Sequence, residues 1–311
     1  MGVNFIDITP LARSAKRELA EMIRKDNLHC VNMMLEPVNI KMNLYTRWGK
    51  RVIDFLVALI ALLVTLPINL MIALITLFDV GSPILFHQAR MGKDGVLFKL
   101  TKFRNMTNEQ DANGEMLPPS QRVTRWGKFV RKTSLDELLN FWCILNGSMS
   151  LIGPRPLRPV YWDRFNNRHK MRYALRPGLE CPSLTIKGRP MNWQERFDND
   201  IWYVENCSLL VDVKLAVRLV QMVFNRKSSA LRSEVGYGSF MGYCSEGNVI
   251  VGMKVPSEYV RAYCTKHGYA SLEDAIEGRH RTRQELTDRA TEEAHFNGNL
   301  EAQQPNLVAT Q

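Results

Sequence analysis

The sequence has no closely paired cysteines. Cys30, Cys143, Cys181, Cys207, Cys244 and Cys264 are scattered, which excludes a disulfide framework and a zinc site of the usual spacing and leaves reduced cytosolic thiols as the simpler reading. The six histidines are equally dispersed, so no metal cluster is expected from them. There is no internal repeat and no recognisable nucleic-acid-binding module. The long hydrophobic run begins at residue 52, too far in for a signal peptide, and is expected to be retained.

What is present is an apolar fraction of 45% over 311 residues, enough for one large domain or two smaller ones. The net charge of +10 attracts phosphate in any form: nucleic acid, anionic lipid headgroups or nucleotide substrates. Charge alone does not choose among these. A membrane segment explains the basic residues better than nucleic acid does, and no nucleic-acid partner is expected.

That segment, VIDFLVALIALLVTLPINLMIALITLF from Val52 to Phe78, is long enough to cross a bilayer. Two features favour turning back instead. Pro67 lies near its middle and lacks an amide donor, with Thr65 and Asn69 close by to satisfy freed backbone groups. Both flanks are basic, Arg47, Lys50 and Arg51 before it and Arg90, Lys93, Lys99, Lys102 and Arg104 after it, which favours keeping both ends in the cytoplasm. The expectation is a re-entrant helix-break-helix with its break at Pro67; an ordinary kinked spanning helix is the alternative. Arg51 and Asp54 have the spacing of a helical ion pair.

Three parts are read along the chain: an N-terminal extension (1–45), a membrane hairpin with a catalytic domain (46–225), and a partly disordered C-terminal extension (226–311). The fold class is α/β, mostly helical, with a small cytoplasmic domain and interfacial amphipathic helices. Leu11 to Lys25 is amphipathic and lies on the membrane or caps the fold. Ile84–Arg90 and Val96–Arg104 read as strands separated by Gly92 and Gly95, followed by a loop through Asn113 and Gly114. Ser134 is expected to open a helix that stops at Asn146 and Gly147, and Ser150–Pro156 is a short strand entering a loop stiffened by two prolines. A helix over Asn192–Asn206 puts Trp193, Phe197, Ile201 and Val204 on one packing face, and Leu209–Phe224 suits the membrane interface. In the tail, a strand at Val249–Val251 and helices near Ser257–His267 and Ser271–Arg289 are readable; Asn297–Gln311 is polar.

The chemistry centres on Arg131-Lys-Thr-Ser-Leu-Asp136-Glu137. Ser134 followed by Glu137 is a capping box, which by itself needs no function. The same helix start also suits an ionised aspartate and a phosphate, so Asp136 is placed to attack phosphorus and form an acyl-phosphate. Arg122, Arg125, Lys128, Arg131 and Lys132 are near enough in sequence to balance phosphoryl charge. Arg155, fixed between Pro154 and Pro156, is either an exposed turn residue or a phosphate ligand. Lys102 and Arg104 share one face of a strand and are either solvated or phosphate contacts.

Taken in order, KRVIDF at Lys50–Phe55, the proline-containing apolar segment, KFRNM at Lys102–Met106, RVTRWGKFVRKTSLDELLNF at Arg122–Phe141 and NGSMSLIGPRP at Asn146–Pro156 resemble the bacterial sugar transferase family, the monotopic polyprenol-phosphate phosphoglycosyl transferases. The resemblance continues through RPGL, KGR and WQERFDNDIWYVENCSLLVDVK to Lys214. It implies that Asp136 is the nucleophile toward the β-phosphate of a UDP-sugar, that Glu137 completes an acidic dyad, and that Arg131 and Arg155 contact phosphate. It implies release of UMP, a covalent phosphosugar on Asp136, and transfer to polyprenyl (undecaprenyl) phosphate. Magnesium shared between Asp136 and a diphosphate oxygen is implied as well.

Such a reaction is the first membrane step of polysaccharide or glycoconjugate synthesis, exopolysaccharide or lipopolysaccharide included. The expected place is the bacterial inner membrane with the catalytic domain in the cytoplasm, in contact with membrane lipids and with downstream glycosyltransferases or a second copy as partners. Two departures stand out. Ser148 replaces an aspartate, removing one acid near the site, and GLECPSL (Gly178–Leu184) replaces Gly-x-Thr-Gly-Trp-Ala-Gln. A catalytically silent membrane scaffold is the alternative that those departures suggest.

Overall fold

The computed structural model of the chain describes residues 4–111, 116–184, 189, 191–224 and 238–278. Asn113, Gly114, Lys187, the later part of the helix expected over Ser271–Arg289 and the Asn297–Gln311 tail lie outside them. At the N-terminus, β1 (Phe5–Ile6) precedes α1 (Arg13–Met33), which buries Ala15, Leu19, Ala20 and Ile23 at helical spacing. A π-helical turn, Tyr45–Gly49, leads into α2 (Lys50–Val80), the apolar helix.

α2 is helical throughout, so the expected break does not interrupt it. Pro67 still removes one backbone donor, and side chains answer nearby: Thr65 donates to the Ala61 carbonyl at 2.7 Å, and Asn69 Nδ2 donates to Thr65 Oγ1 at 3.2 Å. Both ends of the helix are tied to the same globular body. Arg51 donates to the carbonyls of Ile144 and Leu145 at 2.5 and 2.6 Å, and Asp54 accepts from the Leu151 amide at 3.0 Å. These bonds replace the expected Arg51–Asp54 ion pair, because each side chain finds a backbone partner in a neighbouring element. At the other end Thr124 donates to Asp79 at 2.6 Å, Trp126 donates to Thr76 at 3.3 Å, and Arg104 caps the carbonyls of Val80 and Gly81. Burial follows the same division. Lys50, Asp54 and Ala58, then Asn69, Ile72 and Thr76, are buried, whereas Ile60, Leu63, Val64 and Leu66 between them are exposed.

The two expected strands form an antiparallel hairpin, β2 (Leu85–Met91) and β3 (Leu97–Phe103), in register from Leu85↔Phe103 to Met91↔Leu97. Its turn needs glycine at position 95, where φ is +78° and a Cβ would sit 2.7 Å from the Trp162 ring. Short helices α3 (Pro119–Arg122) and α4 (Arg125–Thr133) follow; Thr124 caps α4 by accepting from the Gly127 amide at 2.8 Å. After a 3₁₀ turn, Leu135–Glu137, comes α5 (Asn140–Leu145), then β4 (Ser150–Ile152), α6 (Asn167–Lys170) and β5 (Gly178–Glu180). β4 and β5 are parallel, pairing Ser150 with Gly178 and Ile152 with Glu180.

α7 (Trp193–Asn206) starts with a complete capping box from Asn192 and Glu195 and buries Phe197, Ile201 and Val204, as its periodicity requires. α8 (Leu209–Phe224) exposes Leu210, Val213, Val217 and Val220 along one side while Leu215 is buried. A buried network roots it beside the start of α2: Asp212 accepts from Lys50 Nζ at 2.6 Å, from Tyr45 at 2.5 Å and from Tyr203 at 2.7 Å.

Segments far apart in sequence fold together. β6 (Phe240–Tyr243) and β7 (Val249–Val251) form a hairpin, β8 (Val255–Pro256) pairs with β1, and α9 (Ser257–Lys266) and α10 (Leu272–Glu277) complete the unit. Leu19 and Ile23 share one core with Met241, Ile250, Val260 and Tyr263. α1 therefore caps this unit, the second of the two places expected for it. Phe240 and Tyr243 join it to the rest of the globular body through an aromatic cluster with Tyr161, Phe165, Tyr173 and Phe197.

Candidate active site

The site lies where the hairpin of β2 and β3 meets the link between α4 and α5. α4 ends at Ser134, which adopts a left-handed conformation (φ 59°, ψ 20°) unusual for a residue with a Cβ. The chain thereby turns sharply and presents Asp136 from a 3₁₀ turn, not from the first turn of an α-helix. This corrects the expected capping box. Ser134 makes no side-chain cap, and Glu137 points away to bind cations instead of reaching back.

Asp136 opens onto a cavity of about 660 Å³ that is also lined by Lys102, Arg104, Asn105, Arg131 and Glu137. The carboxylate is buried, with no ion pair among the described residues; Asn105 Nδ2 approaches its Oδ2 at 3.4 Å. Burial therefore holds the Asp136 carboxyl above the ordinary aspartate value, opposed by Lys102 and Arg131 and assisted by the neighbouring Glu137 charge. Glu137 is the contrasting case. Burial works against its charge, but Arg155 and Lys102 outweigh it and bring its pKa down to about 2. Its Oε1 accepts from Lys102 Nζ at 2.6 Å and from Arg155 Nη2 at 2.7 Å.

The pair thus divides into a carboxylate held by two cations through one oxygen and one with no ion pair among the described residues, both on the same cavity. The free one is the better nucleophile candidate. It is also the carboxylate that could hold a magnesium ion, since such ions use one or two carboxylates and complete their shell with other oxygens. The fit is to Asp136 alone: Glu137 is already occupied, and no cluster of three acidic, histidine or cysteine side chains exists among the described residues.

The remaining sequence candidates divide by geometry. Lys102, Arg131, Asp136 and Glu137 come together, and Arg155 joins through Glu137. Arg104 lines the cavity, but its guanidinium is directed to the end of α2. Arg122 is also at the cavity and holds the Leu117 and Thr107 carbonyls at 2.7 and 3.2 Å. Arg125, Lys128 and Lys132 do not line it. Ser148 is not among the lining residues either; it sits in the turn after α5, where Arg176 binds the Gly147 carbonyl at 2.9 Å. The loss of an acid there does not touch Asp136. Asn105 escaped the sequence reading although it lies within KFRNM, because an amide carries no charge signal.

Residues 45–226 match the family model described as bacterial sugar transferase. The uncharacterized sugar transferase EpsL of Bacillus subtilis (strain 168) is 37% identical over 56% of this chain and 86% of its own length. The UDP-N-acetylgalactosamine-undecaprenyl-phosphate N-acetylgalactosaminephosphotransferase of Aeromonas hydrophila is 32% identical over 56% of this chain, and the UDP-glucose:undecaprenyl-phosphate glucose-1-phosphate transferase of Klebsiella pneumoniae is 31% identical over 58%. The matched regions span only 43% and 41% of those two proteins.

Proposed function

Because the chain is a transferase of the bacterial sugar transferase family, we propose that it moves a sugar 1-phosphate from a UDP-sugar to undecaprenyl phosphate through a covalent intermediate on Asp136. The observation that carries this reading is the asymmetry of the acidic pair on one cavity: Glu137 is paired with Lys102 and Arg155, while Asp136 has no ion pair among the described residues. Asp136 attacks the β-phosphorus, the bond to the bridging oxygen breaks, and UMP leaves with that oxygen. The lipid phosphate oxygen then attacks the same phosphorus, releasing the carboxylate and forming the diphosphate-linked sugar.

Lys102 and Arg131 face the phosphoryl oxygens and offset their growing charge, and Arg155 acts from the far side of Glu137. Asp136 is the residue that would hold Mg²⁺, which when bound supplies Lewis-acid stabilisation of diphosphate charge. The Aeromonas hydrophila and Klebsiella pneumoniae relatives are named for different sugars, N-acetylgalactosamine and glucose, so the family leaves the sugar open.

The membrane arrangement belongs to the same reading. Attachment of both ends of α2 to one body, with an exposed apolar middle, supports a helix that enters and leaves the bilayer on the cytoplasmic side of the inner membrane. The exposed apolar side of α8 supports an interfacial position for that helix. A soluble nucleotide-sugar and a lipid phosphate then meet at the cavity. The product feeds glycosyltransferases that extend a lipid-linked sugar. UMP release from a panel of UDP-sugars, with undecaprenyl phosphate and Mg²⁺, tests the function; the reading requires that Asp136→Asn abolish it, and full turnover by that variant removes the assignment.

A further inference from the structure

The loop that carries Arg155 is held by groups to which the reaction assigns no part. Arg172, fully buried, donates from Nη2 to the Arg155 carbonyl at 3.1 Å and to Asp200 Oδ2 at 2.5 Å. Arg90 donates to the Pro156 carbonyl at 3.1 Å. With Pro154 and Pro156 on either side, the backbone at Arg155 has little freedom left.

The guanidinium is held just as closely. Nη2 donates to Glu137 Oε1 at 2.7 Å; Nη1 donates to the Leu179 carbonyl at 2.8 Å and lies 3.8 Å from Glu180 Oε2. Two carboxylates from separate elements, the 3₁₀ turn and β5, therefore flank one planar cation. Glu180 is itself fixed: it is paired with Ile152 in the sheet, mostly buried, and accepts the Cys181 amide at Oε1 at 3.2 Å. It also stands in the GLECPSL stretch, at the place of the threonine in Gly-x-Thr-Gly-Trp-Ala-Gln, so the resemblance gives it no role.

We propose that Glu180 is a positioning residue that, with Glu137, clamps the Arg155 guanidinium so that the positive charge it sets behind Glu137 stays fixed beside the cavity that takes the donor phosphate. The inference rests on the transferase reading. A planar fork with fixed acceptors on two sides loses the freedom to swing, and preorganised charge is what stabilises a phosphoryl transition state without rearrangement. Glu180 acts through Arg155 and not on substrate.

Glu180→Gln keeps the size and the acceptor for the Cys181 amide while removing the charge. In the full-length detergent-solubilised protein, phenylglyoxal labelling read by peptide mass spectrometry is expected to modify Arg155 about threefold faster in E180Q, with the exposed Arg13 unchanged as an internal reference. In UMP release, E180Q is expected to lower kcat about tenfold with donor KM within about threefold, and to cause no further loss when added to Arg155→Lys. An unchanged Arg155 labelling rate overturns the clamp, as does a kcat loss that repeats in full in the R155K background. Absence of UMP release by the wild type from every UDP-sugar overturns the transferase reading instead, and the labelling rate still decides the clamp.

Discussion

Substituting Glu137 by glutamine removes the charge that Lys102 and Arg155 share while keeping the side chain's shape. The fall of its pKa from the ordinary 4.5 to about 2 is equivalent to about 3 kcal/mol of preference for the ionised form in the folded protein. Lys102 and Arg155 keep 20% and 35% of their side-chain surface in solvent, and screening reduces the stabilisation to about 2 kcal/mol. The sign follows from the depressed value. The contribution is complete above about pH 4.5 and is lost as pH falls through about 2. Thermal unfolding of wild type and E137Q in detergent reads it directly: the variant is expected to melt about 4 °C lower at neutral pH, with the gap closing toward about pH 3. Equal melting temperatures at neutral pH, or a gap that does not change on acidification, refute the reasoning.

Further outcomes follow from the same geometry. Because burial holds Asp136 above the ordinary aspartate value and only its ionised form attacks, kcat/KM for UMP formation should rise with pH through an apparent pKa above 3.8, and E137Q should move that limb to lower pH; a limb that E137Q leaves in place contradicts this. Asp212→Ala leaves Lys50 buried without its carboxylate and should destabilise by about 3 kcal/mol, read as a lowered midpoint in urea, with partial recovery in the double variant that also carries Lys50→Met. Ser148→Asp should leave kcat within about twofold, since position 148 lies outside the cavity; a tenfold gain would place it in the reaction. Cysteines at Arg47 and Lys93 should both react with an impermeant maleimide only in inside-out vesicles; reaction of one of them from the opposite side would make α2 a spanning helix.

Regular periodicity carried the elements that the sequence made legible. The hairpin of β2 and β3, α7 and its packing face of Phe197, Ile201 and Val204 all follow from local pattern, because each element buries one face against its neighbours. The site was legible as a set of residue types but not as a shape. Ser134 and Glu137 satisfy the capping pattern, yet the left-handed turn at Ser134 and the cations at Lys102 and Arg155 draw Glu137 elsewhere. Arg51 and Asp54 show the same limit: correct spacing for an ion pair loses to backbone groups that only the folded chain brings near. The joint core of α1 with the β6–β7 hairpin and α9 has no local signature, since its halves stand more than two hundred residues apart.

The proposed mechanism depends on a bond between Asp136 and phosphorus. Intact-protein and peptide mass spectrometry of protein quenched with acid after mixing with a turned-over UDP-sugar, in the absence of lipid acceptor, should find one phosphosugar on the peptide containing Asp136, discharged on addition of undecaprenyl phosphate. Product formed at the normal rate with no adduct at that carboxylate would contradict it.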